Sequence, residues 1–217
     1  VLDQENIKST TLVLTNSAYS RESLYRIYGV SPKVLYLGVD TKTFQPEDRP
    51  KEDYVLSVGA LRPDKGFSFL IESLAQIHPA LRPGLVIVSN YLDPREKAFL
   101  ETLARQRNVR LEIYFNVNEA DLVKFYNAAL LTVYAPVLEP FGFVPLESMA
   151  CGTPVVGVRE AGIRESVRDQ ETGLLTERDP VQFARAVERL LQDDTCREYY
   201  GKQGRKSVET EWQWEKT

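Results

Sequence analysis

Two glutamates, Glu139 and Glu147, stand eight residues apart around a loop with a central glycine, Pro140-Phe141-Gly142-Phe143-Val144. Carboxylates accept hydrogen bonds from hydroxyls. The loop leads into a short helix expected to begin at Pro145, because proline suits a first helical position. The free N–H groups and partial positive charge of a helix start suit a phosphate. Together these chemistries fit a ligand that is part phosphate and part polyol. A second group lies upstream, in Gly59-Ala60-Leu61-Arg62-Pro63-Asp64-Lys65-Gly66. Gly59 lets the backbone approach a ligand, and Arg62 and Lys65 can neutralise phosphate charge. A plain strand-to-helix turn with two solvated cations fits that stretch equally well. Two glutamates eight apart, among 31 acidic residues in 217, read by spacing alone as solvated surface carboxylates.

The elements that must carry these groups alternate along the chain. Strands are expected at residues 11–15, 34–37, 54–58, 85–89, 110–115, 130–135 and 154–158. Helices are expected at 17–29, 66–77, 94–107, from Asn118 onward, 162–168, 179–192 and 195–210. Ser17, Asn118 and Asp179 are the expected N-caps, and Gly29 and Pro180 the matching punctuation. Residues 41–53 hold Pro46, Pro50 and seven charges, with little to enter a core, and read as a linker. Strands that are apolar throughout, alternating with helices, imply an α/β fold with a parallel sheet covered on both faces. Ligands bind such sheets at the carboxyl ends of the strands. The Gly59 and Glu139 loops both leave strands at that edge.

The run from Glu139 to Val156, with Ser148-Met149-Ala150-Cys151-Gly152-Thr153-Pro154 inside it, resembles the E-x7-E signature of retaining GT-B glycosyltransferases of the glycosyltransferase-4 type. The resemblance covers about residues 12–217. It implies the C-terminal half of a GT-B fold, a Rossmann-like parallel sheet that binds the donor. Residues 1–40 would be the end of an acceptor domain, 41–53 a linker, 54–210 the donor domain, and 211–217 the start of a helix crossing back. The rest of the acceptor domain would be missing, so that this chain binds donor without turning over. The implied reaction moves a sugar from a nucleoside-diphosphate donor, such as a UDP- or GDP-sugar, to an acceptor hydroxyl with retention of configuration.

The same resemblance assigns roles. Glu139 would bind a donor-sugar hydroxyl, and Phe141, Gly142 and Phe143 would present backbone N–H groups to sugar and phosphate. Glu147 would accept the ribose hydroxyls, and Lys65, Arg62 and Gly59 would hold the diphosphate. Val117 would bind the base by its backbone. Leu122 falls where an apolar side chain packs on the base, and core packing explains it as well. Ala161-Gly162-Ile163-Arg164-Glu165 resembles a Gly-Gly-x-x-Glu turn in which Glu165 caps or orients. Three positions depart from the pattern: Ala60, where arginine is frequent; Ser89, where glycine is usual; and Ala135-Pro136-Val137, where Pro-Ser is usual. They keep open a second reading, a non-catalytic nucleotide-binding module with a degenerate donor site.

Composition bounds the alternatives. A net charge of −4 argues against a general nucleic-acid binder, which needs a basic surface. No G-x-G-x-x-G or P-loop spacing occurs, and the one histidine, His78, reads as a capping or surface residue. No Asp-x-Asp pair occurs, and Arg62 and Lys65 would take the place of a metal ion, so neither metal nor cofactor is expected. Two cysteines without metal-ligand spacing, Cys151 and Cys196, fit a reducing, cytoplasmic setting. No apolar stretch is long enough to span a membrane, which leaves peripheral association at the inner face open. Tyr25, Tyr28, Trp212 and Trp214 are expected at exposed apolar edges that favour self-association.

Overall fold

The computed structural model describes residues 2–217. The chain opens with α1 (Leu2–Ser9), β1 (Leu14–Thr15), α2 (Ala18–Tyr28) and β2 (Lys33–Val34), and β1 and β2 pair in parallel over two residues each. The main body follows as β3 (Tyr54–Val58), α3 (Phe67–Leu74), β4 (Gly84–Ser89), α4 (Pro94–Arg107), β5 (Leu111–Phe115), α5 (Glu119–Ala128) and β6 (Leu131–Tyr134). It continues with α6 (Phe143–Ala150), β7 (Val155–Val158), α7 (Ile163–Ser166), β8 (Gly173–Thr176), α8 (Pro180–Gln192) and α9 (Asp194–Glu211). Strands β3 to β8 form one parallel sheet in the order β5-β4-β3-β6-β7-β8. Among the described residues, no helix is long and apolar enough to cross a membrane.

The inner strands β3, β4, β6 and β7 are buried almost throughout because both faces are covered, whereas the edge strand β5 carries Glu112 and is largely exposed. In β3, Val55 enters the core on one face and Leu56 the core on the other; in β4, Leu85 and Ile87 alternate in the same way with Val86 and Val88. The first core takes Phe67, Leu70 and Ile71 of α3 and Phe183 and Val187 of α8. The second takes Tyr126 of α5, Leu146 and Met149 of α6 and Val208 of α9. Side chains of Ser17, Asn118 and Asp179 cap α2, α5 and α8 as the sequence indicates. Gly29 closes α2 in the left-handed conformation, at φ 71°.

Three expectations need correction. Helix α6 begins at Phe143, not at Pro145. Proline still fits there, because the N–H it lacks is one of the four that a first turn leaves unbonded. The 41–53 stretch does feed the core: Phe44 is buried, with its ring edge-on to Tyr126 at 6.1 Å. Fully burying a phenylalanine is worth about 1.5–3 kcal/mol. That stretch is also tied by its backbone, since Arg205 donates to the Phe44 carbonyl at 2.8 Å and Asn127 accepts from the Glu47 N–H at 2.8 Å. The third concerns Trp212, which is buried beside Tyr36 and Phe141, while Tyr25 and Trp214 are exposed.

Candidate functional site

The sheet changes direction between β3 and β6. From β3 the chain builds outward to β4 and β5, then returns to add β6, β7 and β8 on the other side. At such a switch point the loops leaving two neighbouring strands diverge and open a crevice at the carboxyl edge. Here those loops are the Gly59 loop after β3 and the Glu139 loop after β6. They are stitched together. The Val137 N–H donates to the Asp64 carbonyl at 2.8 Å. Gly66, at φ 73°, lies so near that a Cβ there would stand 1.9 Å from the Ala135 carbonyl oxygen.

The Glu139 backbone is fixed from several sides. Its carbonyl accepts from the Gly162 N–H at 3.0 Å. Leu138, just before it, is held at φ 52°, a conformation costly for a residue with a side chain. Arg178 donates to the carbonyls of Ala135 at 3.0 Å and Pro136 at 2.8 Å, and forks onto Glu160 at 2.7 Å from each nitrogen. That fork holds the Glu160 carboxyl below the usual carboxylate range. The Glu139 side chain so placed forms an ion pair with the ammonium of Lys65, 74 residues away in sequence. Both side chains are part-buried, at 28% and 23% exposure.

Six of the residues singled out in sequence meet around one hollow of about 250 Å³: Gly59, Lys65, Glu139, Phe141, Gly142 and Phe143. Helix α6 starts there without a side-chain cap, and the N–H groups of Gly142, Phe143 and Val144 donate to no backbone carbonyl outside it. Phe141 is buried, its ring 5.2 Å from that of Phe143 and 5.9 Å from that of Trp212. A larger hollow of about 600 Å³, between α2 and α7, holds none of the six.

The remaining residues lie elsewhere. Arg62 is exposed at the rim and bonded to Asp64 at 2.9 Å. Val117 and Leu122 are half-buried against the second core together with Val58 and Val144, and Val117 lines a separate hollow of about 340 Å³ with Tyr54, Tyr114 and Phe125. Glu147 sits inside α6 and accepts the Tyr126 hydroxyl proton at 2.7 Å. Burial pushes its carboxyl above the ordinary range, and the Tyr126 bond opposes that rise. Two polar lining residues escaped the sequence reading, Asn16 and Tyr134. Each stands where a parallel strand ends, Asn16 after β1 and Tyr134 as the last residue of β6, and the strand-end rule was the available signal. Among the described residues, no three histidine, cysteine, aspartate or glutamate side chains gather as a metal site would require.

Glu165 does cap. Its carboxylate accepts from the N–H groups of Ala18 at 2.7 Å and Tyr19 at 2.9 Å, and from the Tyr36 hydroxyl at 2.8 Å. It thereby pins α2 and the stretch after β2 to the main body. Two of those bonds are made to a helix start, where a carboxylate also meets favourable partial charge. Glu165→Ala is expected to speed amide hydrogen exchange throughout α2 and to cost about 1–3 kcal/mol of stability. Unchanged exchange in α2 would mean that the pinning is made by other contacts.

The sequence profile described as "Glycosyl transferases group 1" matches residues 39–207. The chain is 36% identical, over 202 residues, to the D-inositol 3-phosphate glycosyltransferase of Acidothermus cellulolyticus, covering 82% of this chain and 45% of that protein. It is 35% identical over 167 residues to an uncharacterized glycosyltransferase of Methanocaldococcus jannaschii, covering 76% of this chain and 42% of that one. The chain thus spans about half the length of the curated relatives it matches. Among solved structures it is similar to sucrose-phosphate synthase from Thermosynechococcus elongatus, with a TM-score of 0.88 and 27% identity over 99% of this chain and 57% of that one. The fold is also that of Anabaena HepE in complex with UDP and glucose, with a TM-score of 0.85, 21% identity, and 97% and 64% of the two chains covered.

Proposed function

Since the chain belongs to the group 1 glycosyl transferases, with the sheet of a GT-B donor half, we propose that it binds a nucleoside-diphosphate sugar and serves its transfer to an acceptor hydroxyl with retention of configuration. The observation that carries this reading is that the Lys65–Glu139 pair and the uncapped start of α6 line one hollow at the switch point. A cation and free backbone N–H groups suit a diphosphate, and a carboxylate beside them suits the hydroxyls of a sugar.

Each residue has a defined task. Lys65 offsets the charge that grows on the departing diphosphate, the place where stabilisation lowers the barrier most. Gly59 leaves the backbone bare for close approach. The N–H groups at Phe141, Gly142 and Phe143 point at sugar and phosphate. Glu139 orients the sugar by its hydroxyls and stabilises rather than attacks. Glu147 takes the ribose hydroxyls, and Val117 and Leu122, both packed against the second core, flank the base. Arg62, exposed and paired with Asp64, adds diffuse positive potential at the rim.

The test is a thermal-shift titration with UDP, GDP and ADP, each repeated in the presence of a chelator. One of the three is expected to raise the melting temperature by mass action, with the rise unchanged by chelation. UDP leads the series because the HepE structure of the same fold holds UDP. No shift with any of them would sink the donor-site reading, and a shift lost on chelation would replace Lys65 by a metal ion.

A further inference from the structure

Tyr134 is a lining residue whose hydroxyl the donor reading leaves unused. Its side chain is 6% exposed, yet it reaches the hollow beside Glu139. The two nearby carboxylates are engaged elsewhere, Glu139 by Lys65 and Glu147 by the Tyr126 hydroxyl. Tyr134 bonds to neither. No buried side-chain polar atom among the described residues is sealed off without a partner, so the Tyr134 oxygen is open to the hollow. Gly142 arches over it: a Cβ at that glycine would stand 2.6 Å from the hydroxyl and 3.2 Å from two ring atoms. The glycine, at φ 82°, lets the loop pack directly against the phenol.

A hydroxyl that makes no bond within the protein and opens onto a hollow is free to bond whatever fills that hollow. Burial and the charges of Glu139 and Glu147 all push this phenol above its ordinary range, so it stays protonated and donates. Glu139, which lines the same hollow, is suited to ligand hydroxyls, and a phenol proton is suited to an anionic oxygen. The uncapped start of α6 lies on the same side.

We propose that the Tyr134 hydroxyl is a ligand-binding group that donates a hydrogen bond to a diphosphate oxygen in the hollow. This deepens the donor-site reading and rests on it. The residue distinguishes a diphosphate from a bare nucleoside.

The experiment compares wild type with Tyr134→Phe by calorimetric titration with UDP and with uridine, or with the GDP and guanosine pair where GDP is the binder. The variant removes one oxygen that has no partner in the protein, so its melting temperature without ligand is expected to stay unchanged. Affinity for the diphosphate is expected to fall about tenfold or more, and affinity for the nucleoside to stay the same. Equal diphosphate affinity in the two proteins overturns the proposal. So does a loss shared equally by diphosphate and nucleoside, or a large drop in melting temperature without ligand, either of which marks Tyr134 as a structural residue. A wild type that binds no nucleoside diphosphate sinks the donor-site reading itself, an outcome separate from a wild type that binds and a variant that binds as well.

Discussion

Lys65→Ala weakens nucleoside-diphosphate binding by roughly ten- to a hundredfold, the size of about 1.5–3 kcal/mol for a hydrogen bond to a charged group. Two effects act together. The ammonium that would meet the diphosphate is lost. Glu139, part-buried and now without its ion-pair partner, is left facing an anionic ligand. The second effect gives the prediction its signature, because it requires coupling between the two residues. Lys65→Ala combined with Glu139→Gln therefore loses less than the sum of the two single changes in diphosphate affinity. Lys65→Arg keeps the charge but changes its shape and reach, and falls between. Arg62→Ala, at a side chain more than half exposed and bonded to Asp64, loses much less than Lys65→Ala. Calorimetry on the five variants, the Glu139→Gln single change included, decides it. A Lys65→Ala protein that binds as tightly as wild type removes the phosphate role from this loop.

Gly66→Ala destabilises the whole protein, by roughly 3 kcal/mol or more. The position sits at φ 73°, which costs a residue with a side chain about 1–2 kcal/mol. The added methyl would also meet the Ala135 carbonyl oxygen at 1.9 Å and its carbon at 2.8 Å. Ala135 is fully buried, with its carbonyl held by Arg178, so the obstacle is backbone with nowhere to move. Relief must come from parting the two loops, which breaks the Val137–Asp64 bond and draws Lys65 away from Glu139. Urea unfolding measures the stability loss, and ligand titration of the folded fraction measures the second effect. A midpoint change equivalent to less than about 1 kcal/mol would show that the loops yield easily and that their close stitching does not position the site.

Much of this architecture is legible in the residues. The 94–107 helix and the 54–58 strand fall where periodicity and length put them. Ser17, Asn118 and Asp179 act as caps because a short polar side chain before an apolar run has few other places for its oxygen. Two of the three corrections share one cause. Phe44 and Trp212 sit in polar stretches, which read as surface, and each is buried by partners far along the chain, Phe44 by Tyr126 and Trp212 by Tyr36 and Phe141. The start of α6 shifts because Gly142 bends the chain above Tyr134 before the helix begins.

By itself the sequence determined the alternation of strand and helix, hence a two-faced parallel sheet, and it marked the Gly59 and Glu139 loops as strand-end loops. Those are local properties, set by side-chain period and backbone preference within a dozen residues. Only the tertiary structure decided that Glu139 and Glu147, alike in sequence, have unlike surroundings. Glu139 meets an ammonium brought from 74 residues away, and Glu147 a phenol brought from 21 residues away inside a buried helix face. Only the tertiary structure opened the Tyr134 hydroxyl to the hollow and closed Glu165 onto α2. Charge and hydrogen bonding act over a few ångströms of space, and which groups come within that reach is fixed by the order of strands in the sheet, not by their order in the chain.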